Sequence, residues 1–347
     1  MILVLAGVGA GGYLAYKYRP PAPTTAASDY SGAGEESVEV EIPDGASGQE
    51  IGQILYDKGV VASVGAFADA YAANANSGNI QAGVYTLKAK MSAANAVAAL
   101  LDPASQTRRL TIPEGFTQTQ VKEKLVSTGG FTAAEVDAAF ADTAGIGLPS
   151  AAGGHVEGWL APDTYNISEG ATATEVVAEM VSRTVSRLKS AGVAEADYET
   201  VLIKASIVER EATPTYYGQV ARVIDNRLAD TDGDTQGKLG MDSTILYGLG
   251  RSGGMPTQAE LDDASNPYNT RIHPGLPPTP IGSPGKETIT AVLNPPAGSW
   301  LYFVTVNLDT GETRFASTYA EQQANEQLLQ QYCAANEAKC SSGTHKS

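Results

Sequence analysis

Apolar and polar residues alternate in Val38-Glu-Val-Glu-Ile42, the period of a half-buried strand, and Pro43-Asp-Gly45 supplies a turn after it. Ser47 then opens a three-and-four spacing of apolar positions through about Lys58, which predicts a capped helix ended by Gly59. The same design returns further on. Val40-Glu-Ile-Pro-Asp-Gly-Ala-Ser47 matches Leu110-Thr-Ile-Pro-Glu-Gly-Phe-Thr117, and Ile51, Leu55 and Gly59 match Val121, Leu125 and Gly129. Between the two copies, residues 66–75 and 93–101 read as helices and 81–87 as extended. Strand, two helices and strand in that order make a small α+β module.

Helical spacing continues over 131–142, 174–192, 201–212, 219–228, 288–293 and 319–335. Residues 300–306 and 313–316 form a hairpin across Asp309-Thr-Gly311. Leu239–Gly250 is a turn leading into a helical or extended apolar run. Two stretches carry no period. In Glu157-Gly-Trp-Leu-Ala-Pro-Asp-Thr-Tyr165, read as a loop, Trp159 and Tyr165 either stack on sugar faces or plug a core edge. Residues 251–286 are rich in Gly, Pro, Asn and Asp, and a loop that long in a compact domain is expected to be a lid or a binding surface.

A formal net charge of -16, from 39 acidic and 23 basic side chains, argues against a nucleic-acid partner. Residues 1–16 are uncharged and mostly apolar or small, and meet Lys17 and Arg19. They are read as the outer part of a membrane anchor, with a soluble packed segment as the alternative. The Pro-, Ala-, Thr- and Ser-rich stretch 19–36 has the composition of a flexible spacer. His155, His273 and His345 lack the spacing of a zinc site, so neither a metal nor a cofactor is expected. Cys333 and Cys340 form a small-loop disulfide or remain thiols, which the sequence leaves open. Ser186-Arg-Leu-Lys189 matches S-x-x-K, but its companion elements are absent.

The candidate chemistry centres on Val201-Leu-Ile-Lys-Ala-Ser-Ile-Val-Glu-Arg-Glu-Ala212. Glu209 falls on or beside the inward stripe of that helix. A carboxyl among apolar neighbours would stay protonated near neutrality, as a general acid requires. Glu211 is turned roughly 200° away by the period of the helix. The alternative for Glu209 is an edge-of-core acid paired with a base.

The order of these runs resembles the YceG-like family of endolytic murein transglycosylases, also called MltG. The resemblance is carried by Glu157–Tyr165, Ala205-Ser-Ile-Val-Glu-Arg-Glu211, Asn226-Arg-Leu228, Asp242-Ser-Thr244 with Tyr247-Gly248, Tyr268-Asn-Thr270 with Gly275-Leu-Pro-Pro278, and Leu301-Tyr-Phe-Val304. It implies an α+β protein with a membrane anchor at 1–18, a linker at 19–36 and a LysM-like βααβ subdomain at 37–102. A larger catalytic domain at 103–335 and a tail at 336–347 complete it. It implies a bacterial cell membrane location with an extracytoplasmic body, peptidoglycan glycan strands as substrate, and cell-wall synthases as partners.

The resemblance also implies cleavage of the MurNAc–GlcNAc β-1,4 bond of nascent strands with 1,6-anhydro ends, terminating elongation, and assigns the essential acid to Glu209, acting as acid and then base. Glu211 takes a supporting part. Asp242 is the foremost candidate for a second carboxylate, with Asp225 also considered. Asn226, Tyr268 and Asn269 are candidates for hydrogen bonds to sugar. A non-catalytic glycan-binding scaffold and a hydrolase of the same bond stay open. The chain departs from the family pattern at Thr313 and Gln322, where histidines are common, and at Ser243, where proline is common.

Overall fold

The computed structural model describes residues 28–168 and 170–341. They form two compact units that divide after Thr107. The expected anchor at 1–18 lies outside the described residues, and no helix among the described residues is long and apolar enough to cross a membrane.

In the first unit β1 (Ser37–Ile42) pairs antiparallel with β2 (Gly83–Lys88), and the alternation along β1 buries Val40 and Ile42 while Glu39 and Glu41 face outward. α1 (Gly48–Asp57) and α2 (Val64–Ala73) lie between these strands in sequence, and α3 (Ala93–Leu101) follows. Their apolar faces meet around Leu55, Phe67, Tyr85, Leu87 and Val97. The end of the expected spacer is docked here. The Asp29 carboxylate accepts from Ala93 N at 2.9 Å, and Gly32 O accepts from Ser92 N and Asn95 Nδ2.

β3 (Gln106–Ile112) opens with two residues that pair with β2 inside the first unit. From Arg108 onward it belongs to the second unit and pairs antiparallel with β4 (Asp163–Ile167). The two sequence copies are two copies of one local structure. Ser47 and Glu50 close a capping box at α1, and Thr117 and Gln120 close another at α4 (Gln118–Ser127).

The second unit continues through α5 (Ala133–Ala141), α6 (Ala173–Ser190), α7 (Tyr198–Glu211), α8 (Tyr217–Ala229), α9 (Asp242–Gly248), α10 (Gln258–Leu261) and α11 (Lys286–Leu293). The hairpin of β5 (Tyr302–Asn307) and β6 (Glu312–Ala316) follows, then α12 (Tyr319–Ala335) and α13 (Glu337–Ser341). Cys333 and Cys340 are joined by a disulfide, which ties α13 to α12. The mixed α+β class therefore holds.

One reading is corrected and one open alternative is decided. Residues 157–165 are not all loop, because Asp163–Ile167 is a strand that buries Tyr165 and Ile167. Trp159 and Tyr165 are both fully buried, so neither reaches a sugar. Trp159 Nε1 donates to Glu199 Oε2 at 2.9 Å, and Tyr165 OH donates to Ala161 O at 2.6 Å. Each ring spends its apolar face on the core and its polar tip on a fixed acceptor.

Candidate active site

α7 is the helix on which the second unit turns. Val201, Leu202 and Ala205 pack into one core with Trp159, Tyr165 and Met180. Ile203, Ile207, Val208 and Ala212 pack into another with Tyr217, Val220, Ile224, Met241 and Ile281. A helix that is apolar nearly all round is buried on most sides, so the single inward stripe of the sequence becomes two packed faces. The two acids at its end consequently enter different surroundings.

Glu209 does not sit among apolar groups. Its Oε1 accepts from Tyr217 OH at 3.0 Å, and its Oε2 accepts from Gly285 N and Thr288 Oγ1, each at 2.9 Å. Gly285 is the N-cap of α11 and has no side chain to cap with. Glu209 therefore anchors the N-cap residue of α11 and the Thr288 hydroxyl in its first turn. Beside it, Glu114 has its pKa raised by burial and by the charges of Glu209 and Glu287. A Cβ at Gly285 would lie 2.0 Å from Glu114 Oε1, so a larger residue there would push the Glu114 side chain aside.

Glu211 is buried at 5% exposure and accepts from Ser243 N at 3.2 Å, at the start of α9. It lines a cavity of about 550 Å³ together with Asp242, Arg227, Arg271, Tyr302 and Gln322. That volume lies within the range of small-ligand sites. Asp242 Oδ1 receives both Nε (2.9 Å) and Nη2 (2.7 Å) of Arg271. Arg227 is held by its Nε on Leu301 O and by its Nη1 on Leu239 O, and its guanidinium lies 5.5 Å from the centre of the Tyr302 ring. Burial lowers the pKa of Arg227.

A second cavity, of about 350 Å³, is lined by Glu157, His155, Lys122, Tyr247, Tyr268 and Thr279, among others. Burial pushes the pKa of Glu157 up to about 7 against the hydrogen bonds from Gln118 N and Tyr247 OH. Its neighbour Gly158 has φ +82, and a Cβ there would meet Pro280 at 2.4 Å. α9 is therefore gripped at both ends, by Glu211 through Ser243 N and by Glu157 through Tyr247 OH.

The structure brings Glu211 and Asp242 into one cavity and leaves the other candidates elsewhere. Glu209 lines neither cavity. Asp225 is ion-paired with Lys204 at 2.8 Å. Tyr268 lines the smaller cavity, donating to or accepting from Thr279 Oγ1 at 2.8 Å, with its ring centre 4.9 Å from that of Tyr247. The amide nitrogens of Asn226 and Asn269, proposed from the sequence as sugar ligands, are both taken up by backbone carbonyls. Asn226 Nδ2 donates to Gly298 O and Trp300 O. Asn269, fully buried, donates Nδ2 toward Glu260 O, Leu261 O and Asp263 O. Both side chains hold backbone.

The long stretch 251–286 is accordingly a buttressed segment, with Asn266, Asn269, Thr270, Thr279 and Ser283 all buried. Asn269→Ala is expected to cost about 2 kcal/mol of stability by stranding buried carbonyls, without changing binding to any glycan. Urea denaturation beside a strand-binding assay checks this. Arg227, Arg271 and Tyr302 were not singled out from the sequence. Arg227 and Tyr302 lie inside runs that carry the resemblance and Arg271 follows one, but nothing in their spacing marks a role for them.

The model of the YceG-like family matches residues 40–328, the greater part of the chain. The chain belongs to the YceG-like family. Two proteins named endolytic murein transglycosylase, from Streptococcus pneumoniae serotype 2 (strain D39) and from the R6 strain, are each 30% identical over 93% of this chain. The chain spans 63% of the length of those pneumococcal relatives. A crystal structure of a putative yceG-like protein from Listeria monocytogenes is 29% identical, with a TM-score of 0.52, covering 84% of this chain and 99% of that one. Gln322, one of the positions where the resemblance leads to an expected histidine, lies on the wall of the Glu211 cavity.

Proposed function

We propose that this protein is an endolytic peptidoglycan transglycosylase that cuts the MurNAc–GlcNAc β-1,4 bond of glycan strands and leaves 1,6-anhydro-MurNAc ends. The observation that carries the reading is a buried carboxylate, Glu211, on the wall of a cavity of about 550 Å³ that also holds Asp242 and two arginines. The names of the pneumococcal relatives support the same substrate class.

Glu211, entered as the acid, gives its proton to the glycosidic oxygen as the bond to the muramoyl anomeric carbon breaks. The positive charge that develops at that carbon is met by the anion of Asp242, held in place by Arg271. Glu211, now a carboxylate, takes the proton of the muramoyl 6-hydroxyl as that oxygen closes on the anomeric carbon. One carboxyl thus serves both steps, no water is consumed, and the enzyme ends as it began. Glu209, the acid that the family resemblance implies, is the alternative for the same role, held by Tyr217, Gly285 N and Thr288 beside Glu114.

A second reading has its own observation. Asp242 shares the cavity with Glu211, and two carboxylates with a water between them would hydrolyse the same bond. The products separate the two. Glycan strands freed of cross-links are incubated with the protein and analysed by mass spectrometry. Anhydro ends, 18 Da lighter than reducing ends by one water (about the mass any hydration adds), support the transglycosylase. Reducing ends alone support the hydrolase, and intact strands leave a glycan-binding scaffold. The reading includes an extracytoplasmic body anchored through residues 1–18, and a first unit that, in LysM-like order, assists strand binding.

A further inference from the structure

We propose that the Cys333–Cys340 disulfide is a redox-controlled strap on the wall of the Glu211 cavity: closed, it holds the turn of the β5–β6 hairpin, and opened by a dithiol it releases that turn. The effect on glycan strands rests on the proposed substrate, whereas the strap itself does not. Asp309 stands in the turn between β5 and β6, next to Leu308, which lines the cavity. Its carboxylate is held from two helices. Tyr332 OH of α12 donates to Oδ2 at 2.9 Å, and Lys339 Nζ of α13 donates to Oδ1. Hydrogen bonds from Lys339 and Tyr332 keep the Asp309 carboxyl below its usual range. A Cβ built at Gly311, in the same turn, would lie 3.9 Å from Thr213 Cγ2, two residues beyond Glu211. The turn therefore reaches the end of α7.

The disulfide is what makes the Lys339 contact last. α13 has five residues, too few for an independent helix in water. Glu337, Ala338 and Lys339 are exposed, so apolar burial does little to dock it. An exposed ion pair such as Lys339–Asp309 is worth little by itself. The covalent link across seven positions keeps α13 folded back on α12 and holds Lys339 within reach of Asp309. Both cysteines are half-buried, so a small reductant reaches the bond. A thiolate of the dithiol attacks one sulfur, and the other leaves as a thiolate that takes up a proton. The second thiol of the reductant then displaces the first cysteine. The protein gains two thiols, the reductant becomes a disulfide, and an oxidant that carries a disulfide reverses the exchange. The chain contains two cysteines, both in this bond, so a dithiol acts on the protein at one place.

The test compares the full protein before and after treatment with dithiothreitol, and thermal melting first confirms that the reduced protein is folded at the assay temperature. Amide hydrogen exchange over residues 307–311 is expected to quicken by about 3- to 5-fold on reduction, the worth of one exposed ion pair. KM for glycan strands should rise by a similar factor. The double variant Cys333→Ser with Cys340→Ser should behave as the reduced protein, with or without dithiothreitol. In Asp309→Ala both donors lose their acceptor, so the turn should exchange quickly from the start and reduction should add nothing. Equal exchange in the oxidised and reduced proteins overturns the strap, as does an undiminished response to reduction in Asp309→Ala. Faster exchange with an unchanged KM overturns its control of the cavity. If neither form cuts glycan, the transglycosylase reading fails, and titration with the same strands replaces KM as the measure of the strap.

Discussion

Glu211→Gln is expected to slow the release of anhydro-ended glycan by about 10²- to 10⁴-fold, the usual worth of a positioned acid–base group. The amide keeps the shape of the carboxyl and can still accept from Ser243 N, so α9 stays in place. What disappears is the proton that the leaving oxygen needs. Glu209→Gln is the companion measurement, and its expected result is different. The amide nitrogen would confront a donor where the carboxylate now accepts from Tyr217, Gly285 and Thr288. The loss should appear as about 1–2 kcal/mol of stability, with turnover per folded molecule largely kept. Should Glu209→Gln abolish the anhydro product while Glu211→Gln retains it, the assignment of the two acids reverses.

The second large effect concerns Glu157. Its pKa rises from 4.5 in the unfolded chain to about 7 in the folded one, chiefly through burial. For a carboxyl raised on folding, the stability it permits is complete below pH 4.5. It is lost as pH climbs toward 7, because the folded state then holds the proton more tightly than the unfolded state does. The difference amounts to about 3 kcal/mol at pH 8, at 1.36 kcal/mol per unit. Glu157→Gln cannot ionise, and its amide can meet both Gln118 N and the Tyr247 hydroxyl. The variant should match the parent at pH 5 and exceed it by about 2–3 kcal/mol at pH 8 in urea denaturation. Parallel stability profiles for the two proteins would sink this account. Glu199, also raised to about 7 by burial against the Trp159 N–H, adds a slope of the same sign that both proteins share.

Much of this was legible in the residues. The strand–turn–helix copies, the hairpin and the closing helix follow from period and caps, which are local signals. β4 escaped because five residues after a proline offer too short an alternation, and its identity as a strand is decided by pairing with β3. The site was legible as a set of motifs but not as a geometry. Sequence places Glu209 and Glu211 two residues apart. Only the packing of α7 between two cores decides that one acid meets a helix start and the other a cavity. The amides of Asn226 and Asn269 look like sugar ligands in a string of letters. Their role as backbone supports emerges once chain segments far apart in sequence are brought together.

The burial of α7 on two faces also divides the cleft into a stationary side and an adjustable one. Glu211 cannot be re-aimed by turning its helix without disturbing two cores at once. The other wall residues Tyr302, Tyr319 and Gln322 come from the β5–β6 hairpin and α12, outside both of those cores. An engineer seeking a different glycan should therefore leave the acid's helix untouched and rewrite the hairpin and α12, treating the first as the vice and the second as the exchangeable jaw.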